Sequence, residues 1–185
     1  MIWLRRATQV KERSGTLTHL IRFTRKAAKE SKLTRSVDRP IIPFMNEIIY
    51  PRSPRETMCG WSHLPRLIDK IRLHLAGKLH PDYQGNFCKG FDGLWLETSG
   101  VKAEQFIEVV KNSITDGEVC DWVRKTVKLP ESVKIAHRER MLNYPKKDDA
   151  EMQARLKMRK ENAGIGQRDE IQSFVDFIDA DEKRI

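Results

Sequence analysis

The chain has 185 residues, 39% hydrophobic and 33% charged, and carries a formal net charge of +9 at pH 7. That length suits one domain, or one domain with an appendage, and the composition excludes collagen-like and wholly disordered classes. No apolar run approaches the roughly 20 residues of a membrane-spanning helix, so no membrane partner is expected.

The charge is unevenly divided. Residues 1–44 hold eleven Lys and Arg against Glu12, Glu30 and Asp38, whereas residues 45–185 hold 24 basic and 23 acidic groups. The surplus that points to nucleic acid therefore belongs to the first 44 residues, and nucleic-acid binding is not expected of residues 45–185. Cys59, Cys88 and Cys120 are odd in number and widely spaced, with no CxxC pair and no secretory apolar stretch near Met1. This pattern predicts a reducing, cytoplasmic compartment.

In chain order, residues 1–44 are rich in Arg, Lys, Ser and Thr, with Leu17, Leu20, Ile21 and Phe23 able to form one short amphipathic helix. Three readings stay open: a targeting peptide, a basic arm for nucleic acid or a membrane surface, or translated sequence upstream of a natural start at Met45. The expected organisation is a basic, disordered extension over 1–44 and a helical domain over 45–185. Two prolines make Tyr50 to Glu56 an extended arm, because proline fixes φ and lacks an N–H.

From Ser62, the expected N-cap, Leu64, Leu67, Ile68, Ile71 and Leu75 follow helical spacing, with Pro65 in the first turn and Gly77 past the end. Gly85, Gly90, Gly93 and Pro81 mark a loop from Lys78 to Gly93, after which Phe91, Leu94, Trp95 and Leu96 suit a short helix. Lys102 to Asn112 has a broad apolar face. Thr115 and Glu118 form a capping box, with Ile114 and Val119 placed as a hydrophobic staple, at the head of a helix through Trp122 and Val123. Pro130 opens a further helix that Tyr144-Pro145 closes. Asp148 to Ala163 is helical by propensity, with only Met152 and Leu156 inward. The last helix is expected to start at Asp169 with Gln172 as its box partner and to carry Ile171, Phe174, Val175 and Ile178. No stretch sustains the period-two alternation of strands, so the class is all-α, with about six or seven short helices. No internal repeat is present.

The string Pro51-Arg52-Ser53-Pro54-Arg55-Glu56, then His63 to Arg72 and Leu75-Ala76-Gly77, resembles the start of the bacterial DUF5069 family. The later Thr115-Asp116-Gly117-Glu118-Val119 with Trp122-Val123, and the ending Phe174 to Glu182, are also similar to it. The resemblance covers about Tyr50 to Ile185. It implies a start a few residues before the Pro-Arg-Ser-Pro-Arg-Glu string, which favours Met45 and leaves residues 1–44 unaccounted for. The family has no assigned function, so the resemblance supplies limits and no activity.

At 100° per residue, His63, Arg66, Lys70 and His74 share a stripe beside the apolar face of the first helix, with Asp69 nearby. Arg52 and Arg55 on the preceding arm can join it. Arg52, Arg55, His63, Arg66 and Lys70 are thus the candidate anion-binding set, a guanidinium fork and an ammonium suiting phosphate or carboxylate; ordinary surface ion pairs are the competing reading. The final helix ends in Asp176, Asp179, Asp181 and Glu182, against the helix dipole. This acidic cluster is read as a solvated end relieved by Lys183 and Arg184, with docking onto the basic stripe or weak cation binding as alternatives.

Cys59, His63, His80 and Cys88 are the only conceivable mixed zinc set, and their spacing lacks the close pairs of structural zinc sites, so no metal is expected. Gly85-x4-Gly90 precedes Phe91 and not Lys-Ser/Thr, and GxGxxG, GxSxG and HExxH are absent, so no cofactor is expected either. Trp61, Trp95, Trp122, Phe87 and Phe91 with Tyr83 suit a core better than a ligand pocket.

Three functions are compatible with these residues. The first is a helical binding or adaptor protein whose basic surface takes an acidic protein or a small anion. The second is an enzyme acting on a phosphorylated or carboxylated small molecule, with His63 as acid or base oriented by Asp69 and with Arg66 and Lys70 holding the anion; the six-residue separation of His63 and Asp69 speaks against their pairing. The third is nucleic-acid association through the basic N-terminal arm.

Overall fold

The computed structural model describes residues 48–185. The short helix expected around Leu17 to Phe23 and the start at Met45 lie outside the described residues. Among these, the chain forms a two-stranded antiparallel ribbon, β1 (Thr57–Met58) and β2 (Trp61–Ser62), and eight helices. They are α1 (Leu64–Leu75), α2 (Pro81–Gln84), α3 (Phe91–Ser99), α4 (Ala103–Lys111), α5 (Asp116–Thr126), α6 (Glu131–Leu142), α7 (Ala150–Asn162) and α8 (Phe174–Asp181). The all-α class holds, and the one-turn helix α2 accounts for the eighth element inside the glycine-marked loop.

Two apolar cores organise the helices. The larger gathers Trp61, Leu64, Leu67, Ile68, Ile71, Trp95, Phe106, Val110, Val119 and Val123, with α1 packed against α3, α4 and β1. The smaller joins Leu156, Ile171, Phe177 and Ala180 where α7 meets α8. Burying these side chains supplies the main driving force for the fold.

Helix starts show where local signals win and where they yield. The Thr115–Glu118 box is present: Glu118 N–H donates to Thr115 Oγ1 at 3.3 Å and Thr115 N–H to Glu118 Oε2 at 3.1 Å. The staple beside it does not form, because Val119 turns fully into the core while Ile114 stays 89% exposed. Ser62 does not cap α1. It is spent in the ribbon, paired with Thr57, and His63 becomes the N-cap at φ 69°, its N–H donating to Glu56 C=O.

The last helix starts at Phe174 and not at Asp169. Ser173 and Asp176 make the capping box, and Lys160 Nζ donates to the Arg168 carbonyl and to the Ile171 carbonyl, the latter an acceptor that a longer helix would have used.

Candidate functional site

Helix α1 is buried on two faces. Leu64, Leu67, Ile68 and Ile71 enter the core, while His63, Arg66 and Lys70 form a second, polar stripe that is almost as deeply covered. Buried charge is costly unless paired and hydrogen-bonded, and each member of the stripe has a carboxylate.

Asp92, in the first turn of α3 and fully buried, serves two of them. His63 Nε2 lies 2.7 Å from Oδ1, and Lys70 Nζ lies 3.0 and 2.9 Å from the two oxygens. The Cys88 N–H adds a bond of 3.1 Å to Oδ2. Burial alone would raise the Asp92 pKa, but the His63 bond and the Lys70 charge outweigh it and hold the carboxyl below its usual range. His63 is shifted down because burial disfavours the imidazolium more than the Asp92 bond favours it. Its Nδ1 has no hydrogen-bond partner.

Arg66 is served by Glu182, the residue that follows α8. The fork is bidentate, Nη1 to Oε2 at 3.0 Å and Nη2 to Oε1 at 2.5 Å, and Nη1 also donates to the Pro51 and Arg52 carbonyls. Tyr83 O–H donates to the same carboxylate at 2.6 Å, and its ring lies 5.5 Å from the Arg66 guanidinium and 6.0 Å from Lys70 Nζ. Burial opposes the Glu182 charge, yet the Arg66 bonds prevail and the Glu182 pKa falls.

The other candidate cations are likewise paired. Arg52 holds Asp69 with Nε and Nη2, both at 2.8 Å, and reaches Asp116 with Nη1. Arg55 pairs with Asp176 and Asp179, and Ser53 O–H donates to Asp179 at 2.9 Å. The structure thus brings the candidate basic set and most of the acidic cluster together. Asp179 and Glu182 are buried, contrary to the solvated helix end expected; Arg184, one of the two relieving cations anticipated, pairs with both, and arm and stripe add Arg55 and Arg66. Asp181 remains on the exposed side, and partial desolvation with the charges of Glu182 and Asp82 raises its pKa. Asp69, which the enzyme reading offered to His63 despite its unfavourable spacing, belongs to Arg52.

Above the stripe opens a cleft of about 910 Å³. His63, Arg66, Lys70, Glu182 and the carboxyls of Asp82, Glu97 and Asp181 line it, together with Arg140 of α6 and Arg155 and Arg159 of α7. These three arginines make no ion pair among the described residues. Aromatic rings form a continuous wall: His63 to Phe91 at 5.8 Å, Phe91 to Tyr144 at 6.1 Å and Tyr144 to Phe174 at 5.6 Å between centroids. Of the aromatic residues expected in the core, Trp61 and Trp95 are there and Trp122 and Phe87 pack against it, whereas Phe91 and Tyr83 line the cleft.

Sequence reasoning missed Asp92, Arg140, Arg155 and Arg159. An acid in the first turn of an otherwise apolar helix was the available signal for Asp92. The arginines sit in charge-rich stretches that offer none.

The zinc set does not assemble. Burial, with Cys120 beside it, pushes the Cys59 thiol up to about 12. His80 caps α2, and His63 is held by Asp92. Among the described residues no three His, Cys, Asp or Glu side chains converge on a metal position. No described helix is long and apolar enough to cross a membrane.

No curated protein matches the chain in sequence. The model of the domain of unknown function DUF5069 matches residues 48–184, a span holding the arm, the stripe, Asp92 and Glu182, and the chain therefore belongs to the DUF5069 family.

Proposed function

We propose that this protein binds a small organic anion, a phosphate or carboxylate attached to a planar or apolar body, in the cleft between α1 and the α6–α7 pair. One observation carries the reading: Arg140, Arg155 and Arg159 line a concave, aromatic-walled space while forming no ion pair among the described residues. Guanidinium forks match the oxygens of phosphate and carboxylate. A volume of about 910 Å³ falls in the range of small-molecule sites, roughly 300–1,000 Å³, and a recess favours a small ligand over a flat protein partner. Arg66 and Lys70 support the site differently from the expectation drawn from sequence: paired with Glu182 and Asp92, they leave the capture of charge to Arg140, Arg155 and Arg159.

Calorimetric titration of the full-length protein with phenyl phosphate, phenol and inorganic phosphate tests this. Phenyl phosphate should bind, phenol should bind far more weakly, and the double substitution Arg155→Ala, Arg159→Ala should weaken phenyl phosphate by at least about tenfold, since one charge-assisted bond contributes about 1.5–3 kcal/mol. Equal affinity in wild type and double variant would sink the proposal.

A further inference from the structure

The cleft holds unpaired charge of both signs. Arg140, Arg155 and Arg159 line it without an ion pair among the described residues, and so do the carboxyls of Asp181 and Glu97. Elsewhere in the same lining opposite charges have closed onto each other, Arg66 on Glu182. These have not, so each is left to meet an incoming group.

The negative charge gathers where α2 meets the end of α8. Asp181 is the last residue of α8, whose final turn has no basic residue and where the helix dipole is already negative. Glu182 follows it, but Arg66, Arg184 and Tyr83 occupy that carboxylate. Asp82 comes to the same end, one residue before the Tyr83 whose O–H donates to Glu182. Partial desolvation and the charges of Glu182 and Asp82 raise the Asp181 pKa, while Arg159 opposes them. Arg159 is thus close enough to act on Asp181 and too far to pair with it. Aromatic side chains line the same space. Tyr83 already carries two cations near its ring, the Arg66 guanidinium at 5.5 Å and Lys70 Nζ at 6.0 Å from the centroid, and Phe91, Tyr144 and Phe174 form the wall. Carboxylates beside aromatic rings suit an ammonium group, as guanidinium forks suit a phosphate.

We infer that the ligand of the cleft is zwitterionic, an organic phosphate with an ammonium group on the same apolar body, its phosphate on the three arginines and its ammonium at Asp181 and Asp82. This rests on the cleft being an anion site. Three guanidiniums outnumber the two oxygens of a carboxylate and suit the three acceptor oxygens of a phosphate. A simple phosphate would gain the arginines but also meet the carboxyls, whose like charge repels it, and a simple amine would gain the carboxyls and meet the arginines. A ligand with both groups gains at each end. The carboxyls are therefore the part of the lining that selects among phosphates, since specificity comes from the repulsion of wrong ligands as much as from attraction of the right one.

Calorimetric titration of the full-length protein at neutral pH with tyramine phosphate and with 4-ethylphenyl phosphate, which differ only in the ammonium group, tests this. Tyramine phosphate should bind at least about tenfold more tightly. The double substitution Asp82→Asn, Asp181→Asn should bring the two affinities to within about twofold of each other, whereas Asp181→Glu should keep the preference. Both carboxyls lie on the exposed side, so these changes do not endanger the fold. Arg155→Ala with Arg159→Ala should weaken both compounds. Equal affinity of wild type for the two compounds, with both binding and both weakened by loss of the arginines, overturns the zwitterion and leaves the anion site standing. A preference that survives in the double asparagine variant overturns the assignment of the ammonium to Asp181 and Asp82. Failure of either phosphate to bind overturns the anion site and this inference with it.

Discussion

Arg66 and Glu182 are each 3% exposed in their side chains, and that depth decides what the pair contributes. An exposed ion pair contributes little. A buried one is dangerous to break, because the survivor loses its main counter-charge out of water, Arg66 keeping the Pro51 and Arg52 carbonyls and Glu182 keeping Tyr83 and Arg184. Arg66→Ala and Glu182→Ala should each cost about 3–5 kcal/mol of unfolding free energy, whereas Arg66→Met with Glu182→Leu should cost far less than the sum of the single changes. Urea denaturation of the four proteins of the cycle measures this, and single variants within about 1 kcal/mol of wild type would show that the pair is solvated. The basic members of this pairing were legible from helical spacing, since i, i+3 and i+4 positions share a face. Their partners were not. Asp92 lies 22 residues from Lys70 and Glu182 lies 116 from Arg66, and no periodicity reports a contact across such distances. Asp69, the nearest acid in sequence, was the only local partner to consider for His63, and the six-residue spacing already spoke against it.

At the scale of elements, α7 brings two arginines to the cleft yet has little apolar anchorage. Leu156 is its one buried residue, set against Ile171, Phe177 and Ala180. Leu156→Ala should cost about 2–5 kcal/mol and should also weaken phenyl phosphate binding, although Leu156 does not line the cleft. Thermal unfolding and titration of the same sample read both effects, and lost stability with unchanged binding would show that α7 is held in place by other contacts. The position of α7 was legible to within two residues from propensity and the glycines that follow it. The start of α8 was not, because two capping boxes competed: Asp169 with Gln172 fits the local pattern, but Ser173 with Asp176 prevails where Lys160 takes the intervening Ile171 carbonyl.

For the whole molecule, the depressed and raised pKa values combine into one stability profile. His63 is lowered by burial, and His137, packed on Trp61, falls to about 4 for the same reason. Below an unfolded value near 6.5 the unfolded chain takes up protons that the native state declines, so stability falls as pH drops. The depressed carboxyls Asp92 and Glu182 act in the same direction below about 4.5, as their ion pairs are lost. On the alkaline side the thiols of Cys88, pushed by burial to about 11, and Cys59 keep protons in the native state that the unfolded chain releases above about 9, so stability falls as pH rises. The urea midpoint should be flat between about pH 7 and 8.5 and decline on both sides. His137→Leu should flatten part of the acid limb, and a midpoint that is constant from pH 7 to 5 would contradict the burial of both histidines.

The pairing of Arg66 with Glu182 also sets an order of events during synthesis. The arginine leaves the ribosome 116 residues ahead of its carboxylate, a delay of roughly 6–23 s at about 5–20 residues per second. Through that interval α1 carries a cation that no apolar interior can accept. The nascent helix can bury Leu64, Leu67, Ile68 and Ile71 against α3 and α4, but the stripe beneath the cleft must stay hydrated. The floor of the cleft is then the last part to close, so a chain stalled before Glu182 has most of its core and no finished site.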